Sequence, residues 1–105
     1  MKKFEVTILQ SALDDLEEII LFIAQDNRLK AIEMHKLIIE KMYDLSTFPK
    51  RGRLIPDKKL ANWGFRMLVV EKYIIFYKID GNIVHIHRVF HGMRNYPALL
   101  NIAKD

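Results

Sequence analysis

Between Phe65 and Phe90, three runs rich in β-branched and aromatic residues, Phe65 to Val70, Tyr73 to Ile79 and Ile83 to Phe90, follow one another with links of only two and three residues. A parallel crossover needs about a dozen residues or more, so links this short force the runs to pair as antiparallel neighbours. Asp80-Gly81-Asn82 supplies residues that accept the positive φ of a tight hairpin turn, and Glu71-Lys72 makes an equally short link. The rest of the chain must therefore pack on a three-stranded meander.

The preceding half provides that packing. Phe4, Val6 and Ile8 alternate with Glu5 and Thr7, which predicts a first strand. Ser11 is placed as an N-cap with Asp14 three residues on, and Asp14, Asp15, Glu17 and Glu18 put negative charge at the positive end of a helix. Leu13, Leu16, Ile20 and Ile23, flanked by Ile19 and Phe22, form a broad apolar stripe at helical spacing that is expected to be buried. Asp26-Asn27 interrupts it. A second helix is predicted from about Leu29 with Ala31, Met34, Ile38, Met42 and Leu45 on one face, ending before Pro49 and Gly52. Met34 and Met42 are expected to fill core space. Residues 49–62 form a basic, Pro-containing loop, and Trp63, just beyond it, is expected to anchor against the core. The predicted fold is a single α+β domain over residues 1–105 with element order β-α-α-β-β-β, a helical hairpin packed on a mainly antiparallel sheet.

Charge is unevenly distributed. Residues 1–48 carry nine Asp/Glu against six Lys/Arg, whereas residues 49–105 carry four against eleven. Lys50, Arg51, Arg53, Lys58, Lys59 and Arg66 are opposed only by Asp57 between positions 50 and 66, a pattern suited to an acidic partner or a polyanion. The absence of cysteine excludes disulfides and thiolate zinc sites. Glu5 interrupts the short apolar run after the initial lysines, which argues against a signal peptide or membrane span and makes the cytoplasm the expected location.

The segment VHIHRVFHGMRNYP, residues 84–97, concentrates histidines and arginines. His85 and His87 are two apart on a strand and so share a face. Further ligands would be needed for zinc, and no carboxylate lies between Asp80 and Asp105, so no metal is expected. An unperturbed imidazole titrates near 6.5, which makes His91 a candidate general base.

In order and spacing, Ser11-Ala12, Asp15-Leu16 and Ile19, Phe48-Pro49 with Gly52-Arg53, Phe65-Arg66, Tyr73-Ile74-Ile75-Phe76-Tyr77 and Val89-Phe90-His91-Gly92-Met93-Arg94 resemble the RelE/ParE superfamily of toxins from type II toxin–antitoxin modules. The similarity runs from residue 4 to about residue 100. It implies the fold inferred above, no cofactor, and a small basic toxin neutralised by an acidic antitoxin. The basic cluster Lys50, Arg51, Arg53 and Arg66 is the candidate antitoxin surface.

Two branches of the superfamily imply different activities. RelE-like members resemble metal-independent ribonucleases that cut messenger RNA on the ribosome. That chemistry needs a base, an acid and cations for the charge developing on phosphate. Matched residue by residue, Arg66 fills one basic position, but the next lysine falls on Leu68 and a further arginine on Ile74. His91, Arg94 and Tyr96 are the remaining catalytic candidates for this branch. ParE-like members resemble inhibitors that bind DNA gyrase without chemistry of their own. YIIFYKIDG and RVFHGMR are more similar to that branch, with Arg88, His91 and Arg94 as candidate target-binding residues beside the YPALL tail. The ParE-like reading is preferred. A RelE-like ribonuclease, with ribosome and messenger RNA as partners, and a degenerate member that binds its antitoxin harmlessly are the alternatives.

Overall fold

The computed structural model describes residues 3–92. Its elements are β1 (Glu5–Ile8), α1 (Gln10–Asp26), α2 (Arg28–Asp44), β2 (Arg53–Leu54), α3 (Lys58–Asn62), β3 (Phe65–Val70), β4 (Tyr73–Asp80) and β5 (Ile83–His91). The strands form one sheet in the order β1-β5-β4-β3-β2, antiparallel except for the parallel β1–β5 pair. The predicted order is present, with two short elements inside the segment expected to be a loop. Asp57 nucleates α3, its carboxylate accepting from the Leu60 amide at 3.0 Å. Gly81 turns the β4–β5 hairpin at φ 61°.

Alternation along β4 explains why its sequence is apolar without a break. Tyr73, Ile75 and Tyr77 point into a core shared with α1 and α2, while Ile74 and Phe76 point into a second core on the opposite face. A strand covered on both faces has no solvent side to show in its pattern. The helix-side core takes Leu16 from α1, Met34, Ile38 and Met42 from α2, and Val84, Ile86 and Val89 from β5. The outer core is smaller, with Ile55 and Leu60 from the β2–α3 segment closing over Phe65, Met67, Ile74, Phe76 and Phe90, and Trp63 packed at its border.

Two local expectations for α1 require correction. The helix begins two residues earlier than predicted, with Leu9 rather than Ser11 as N-cap and no side-chain cap bond. Ser11 instead donates its hydroxyl to the His87 carbonyl at 2.7 Å. The buried stripe is also narrower. Ala12 and Leu16 are fully covered, but Leu13 is 40% and Phe22 71% exposed, because α1 meets α2 and β5 along one line only. Asn27 both ends α1 and caps α2, accepting from the Lys30 amide at 3.0 Å.

Candidate functional site

The basic segment after α2 rounds the β3 edge of the sheet. Tyr77, fully buried on β4, sends its hydroxyl into this segment, donating to the Pro49 carbonyl at 2.7 Å and accepting from the Gly52 amide at 2.8 Å. A side chain at Gly52 would place its Cβ 2.6 Å from the Met67 carbonyl oxygen and 2.7 Å from the Tyr77 hydroxyl, so only glycine fits this approach. Burial raises the Tyr77 phenol above its ordinary value, against the opposing pull of the Gly52 hydrogen bond and the Arg66 charge. Arg66 completes the fastening by donating to the Gly52 carbonyl at 2.7 Å.

This anchoring holds an open depression of about 550 Å³ lined by Phe4, Thr47, Phe48, Pro49, Lys50 and Arg51. Its floor is apolar and half of Phe48 is exposed. The Arg51 guanidinium stacks 4.8 Å from the Phe48 ring centre and lies 3.8 Å from the Asp44 carboxylate. Lys50, Arg51 and Arg53 are exposed, whereas Arg66 is half-buried and bonded to the loop. The four candidate antitoxin-binding residues thus divide into three surface cations and one fastener of the segment that presents them.

The second group lies on β5. Its pairing with β4 is interrupted, since Tyr77 faces Ile86 and Phe76 faces Arg88, leaving His87 as the extra residue of a bulge. The start of α1 grips this bulge. Asp15 accepts from Arg88 Nε at 2.7 Å, from an Arg88 terminal nitrogen at 2.9 Å and from the Val89 amide at 3.0 Å, while Ser11 binds the His87 carbonyl. The hydrogen bond to Asp15 raises the Arg88 pKa. Arg88, a candidate target-binding residue, is therefore ion-paired within the fold and stacked 4.8 Å from the Phe90 ring centre. Sequence patterning misses this clamp, because Asp15 and Arg88 are on different elements and seventy-three positions apart.

His91 is exposed at the end of β5, its ring centre 5.3 Å from that of Tyr73. Burial and the nearby Glu71 carboxylate raise the Tyr73 phenol. Arg94 and Tyr96 lie outside the described residues. Ile74, where a RelE-like arginine was sought, is 3% exposed within the outer core, and Leu68 packs against the helix-side core. His85 and His87 do share the outer face, with ring centres 6.5 Å apart. Among the described residues, no three His, Cys, Asp or Glu side chains converge as a metal site, and no helix is long and apolar enough to cross a membrane.

A helical hairpin over one face of this sheet, with a basic segment wrapped around its edge, matches the ParE/RelE toxin fold. The family model described as the ParE toxin of the type II toxin–antitoxin system parDE matches residues 6–96, and the chain belongs to that family. The fold is similar to a chain of the chromosomal ParDE toxin–antitoxin system from P. aeruginosa, with a TM-score of 0.74, 18% identity and coverage of 89% of this chain and 100% of the other. It is also similar to a chain of the RelBE2 toxin–antitoxin complex from Mycobacterium tuberculosis, with a TM-score of 0.65, 25% identity and coverage of 85% and 98%. No curated protein sequence matches significantly.

Proposed function

We propose that this single-domain toxin acts in the cytoplasm by binding and inhibiting DNA gyrase, and that a cognate acidic antitoxin neutralises it. The observation that carries the gyrase reading is the fate of the positions a ribonuclease would need as cations. Ile74 and Leu68 are packing residues, and Arg66 is committed to Gly52. Removing one preorganised transition-state stabiliser costs roughly 10²–10³ in rate, so a site lacking two of its cations is a poor catalyst of phosphodiester cleavage. The antitoxin reading is supported by the depression beside Phe48, where an apolar anchor flanked by acidic residues would meet Lys50 and Arg51.

The alternative retains one favourable observation, the exposed His91 imidazole against Tyr73 at the end of the sheet. Parallel assays of gyrase supercoiling and of messenger RNA on programmed ribosomes separate the two. Supercoiling is expected to be inhibited while the message stays intact. Codon-spaced cuts that vanish in Arg94→Ala or Tyr96→Phe would replace this reading with the ribonuclease. Inactivity in both assays with antitoxin binding retained would mark a degenerate toxin.

A further inference from the structure

The outer face of the sheet carries a polar row that neither the antitoxin nor the gyrase reading uses. Phe65 on β3 stands directly opposite Lys78 on β4, Lys78 opposite His85 on β5, and His85 opposite Thr7 on β1. Directly opposed residues share a face. Phe65 belongs to the outer core, so the row lies on the side away from the helical hairpin. His87 adjoins it, touching the Phe65 ring edge-on with centres 5.0 Å apart. We propose that Lys78, His85 and His87, with the Thr7 hydroxyl beside them, bind a phosphate group, whether carried by a nucleic-acid strand or free in solution.

Three features of the row point to an anion. The Lys78 ammonium lies 5.8 Å from the Phe65 ring centre and, among the described residues, has no carboxylate within salt-bridge distance. His87 Nδ1 is buried and has no hydrogen-bond partner, a state that costs free energy until a ligand or water fills it. His87 is also held neutral, its pKa pushed down to about 4 by burial and by the neighbouring His85 and Lys78. An anion placed among these groups relieves both the lost solvation and the repulsion.

The wider field has the same sign. Residues 10–44, which form the helical hairpin, carry eight Asp/Glu against four Lys/Arg, while residues 45–92 carry three against nine. Of those three acids, Asp57 is occupied as the α3 cap. Glu5 and Asp80 do share the outer face, on either side of Ile83 and one row nearer the β4–β5 turn, and they bound the site at that end. Lys58 and Lys59 on α3 add positive charge, the latter 5.5 Å from the Trp63 ring centre. Phosphate fits better than carboxylate because the donors come from three strands, a spread that several oxygens can satisfy and two cannot.

The full-length protein can be tested by following the histidine Cε1–H resonances against pH in inorganic phosphate and in sodium chloride of matched ionic strength. Phosphate is expected to raise the titration midpoints of His85 and His87 by about one unit. His35 on α2 and His91 should stay in place as internal references. Lys78→Gln, which keeps most of the stem and removes the charge, should weaken phosphate binding at least about tenfold, as losing one charge-assisted bond implies. Thr7→Val provides a second, milder variant. A single-stranded oligonucleotide that moves the same resonances at lower concentration identifies a nucleic-acid strand as the source, and a response to phosphate alone identifies a small-anion site. The proposal fails if neither ligand moves His85 and His87 beyond the chloride control. It also fails if Lys78→Gln responds as the parent does, or if acetate at the same concentration gives the same shifts.

Discussion

The two faces of the sheet are closed by different physical means. On the inner face two seventeen-residue helices lie over Ile75, Tyr77, Val84 and Ile86, and burial of large side chains dominates. On the outer face a two-residue strand and a five-residue helix cover a smaller core through Ile55 and Leu60, and beside the β2–β3 pairing a few polar bonds fasten them: Tyr77 and Arg66 to the segment around Gly52, and Asp57 at the α3 cap. Extensive burial spreads stability over many contacts, whereas point fastening concentrates it. The outer cover should therefore be the part of the molecule that opens at lowest free energy.

The largest expected effect lies on the inner face. Ile38→Ala removes a fully buried side chain from the helix-side core and should cost about 3–5 kcal/mol in denaturant unfolding, with hydrogen-exchange protection falling across the whole sheet. Leu60→Ala, equally buried on the outer side, should cost less in the global transition and accelerate exchange mainly in β2 and α3. Equal global losses with uniform exchange would erase the distinction between the faces.

Gly52→Ala comes next. The added methyl has no room between the Met67 carbonyl and the Tyr77 hydroxyl, so the segment must shift and the Tyr77 bonds must break. A loss of about 2–3 kcal/mol is expected. If Tyr77→Phe loses a similar amount and the double variant loses no more than either alone, the two residues form one fastener. Full additivity would show that they act separately.

The last effect is a pH dependence, discounted for the partial exposure of His87. His87 titrates at about 4 in the folded chain and near 6.5 when unfolded. The unfolded state binds the proton first, so stability should be unaffected above about pH 6.5 and decline as pH falls toward 4. Denaturation midpoints measured across this range should show the slope, and His87→Gln should flatten it. A slope unchanged by that substitution would assign it to other groups.

The helical hairpin was legible because it rests on a periodic pattern many residues long, and the meander because its three β-branched and aromatic runs are joined by links too short for a crossover. The β2 and α3 elements, two and five residues long, offer no period to detect, although Pro56-Asp57 carries a local helix-start signal. The β5 bulge had no local signal at all. It is stabilised by Asp15 and Ser11, more than seventy positions away in sequence. The same distance explains why Ser11 resembled a cap and Arg88 a free cation, since rules of local spacing carry no information about a partner on another element. The basic segment was visible as charge, but only the structure separates Arg66, turned inward to Gly52, from Lys50, Arg51 and Arg53 at the surface.

The strand order places β1, made first, against β5, the last strand of the described residues. While the chain is being synthesised, β1 and the two long helices leave the ribosome with no sheet to rest on, and β2, β3 and β4 can pair before the β1 edge can close. Only when His87 and Arg88 emerge can Ser11 and Asp15 lock the first helix to the last strand. Closure is thus a late, long-range step whose loop entropy is met all at once, which favours slow folding relative to a chain of local contacts. The nascent domain is consequently unfinished until β5 has been translated.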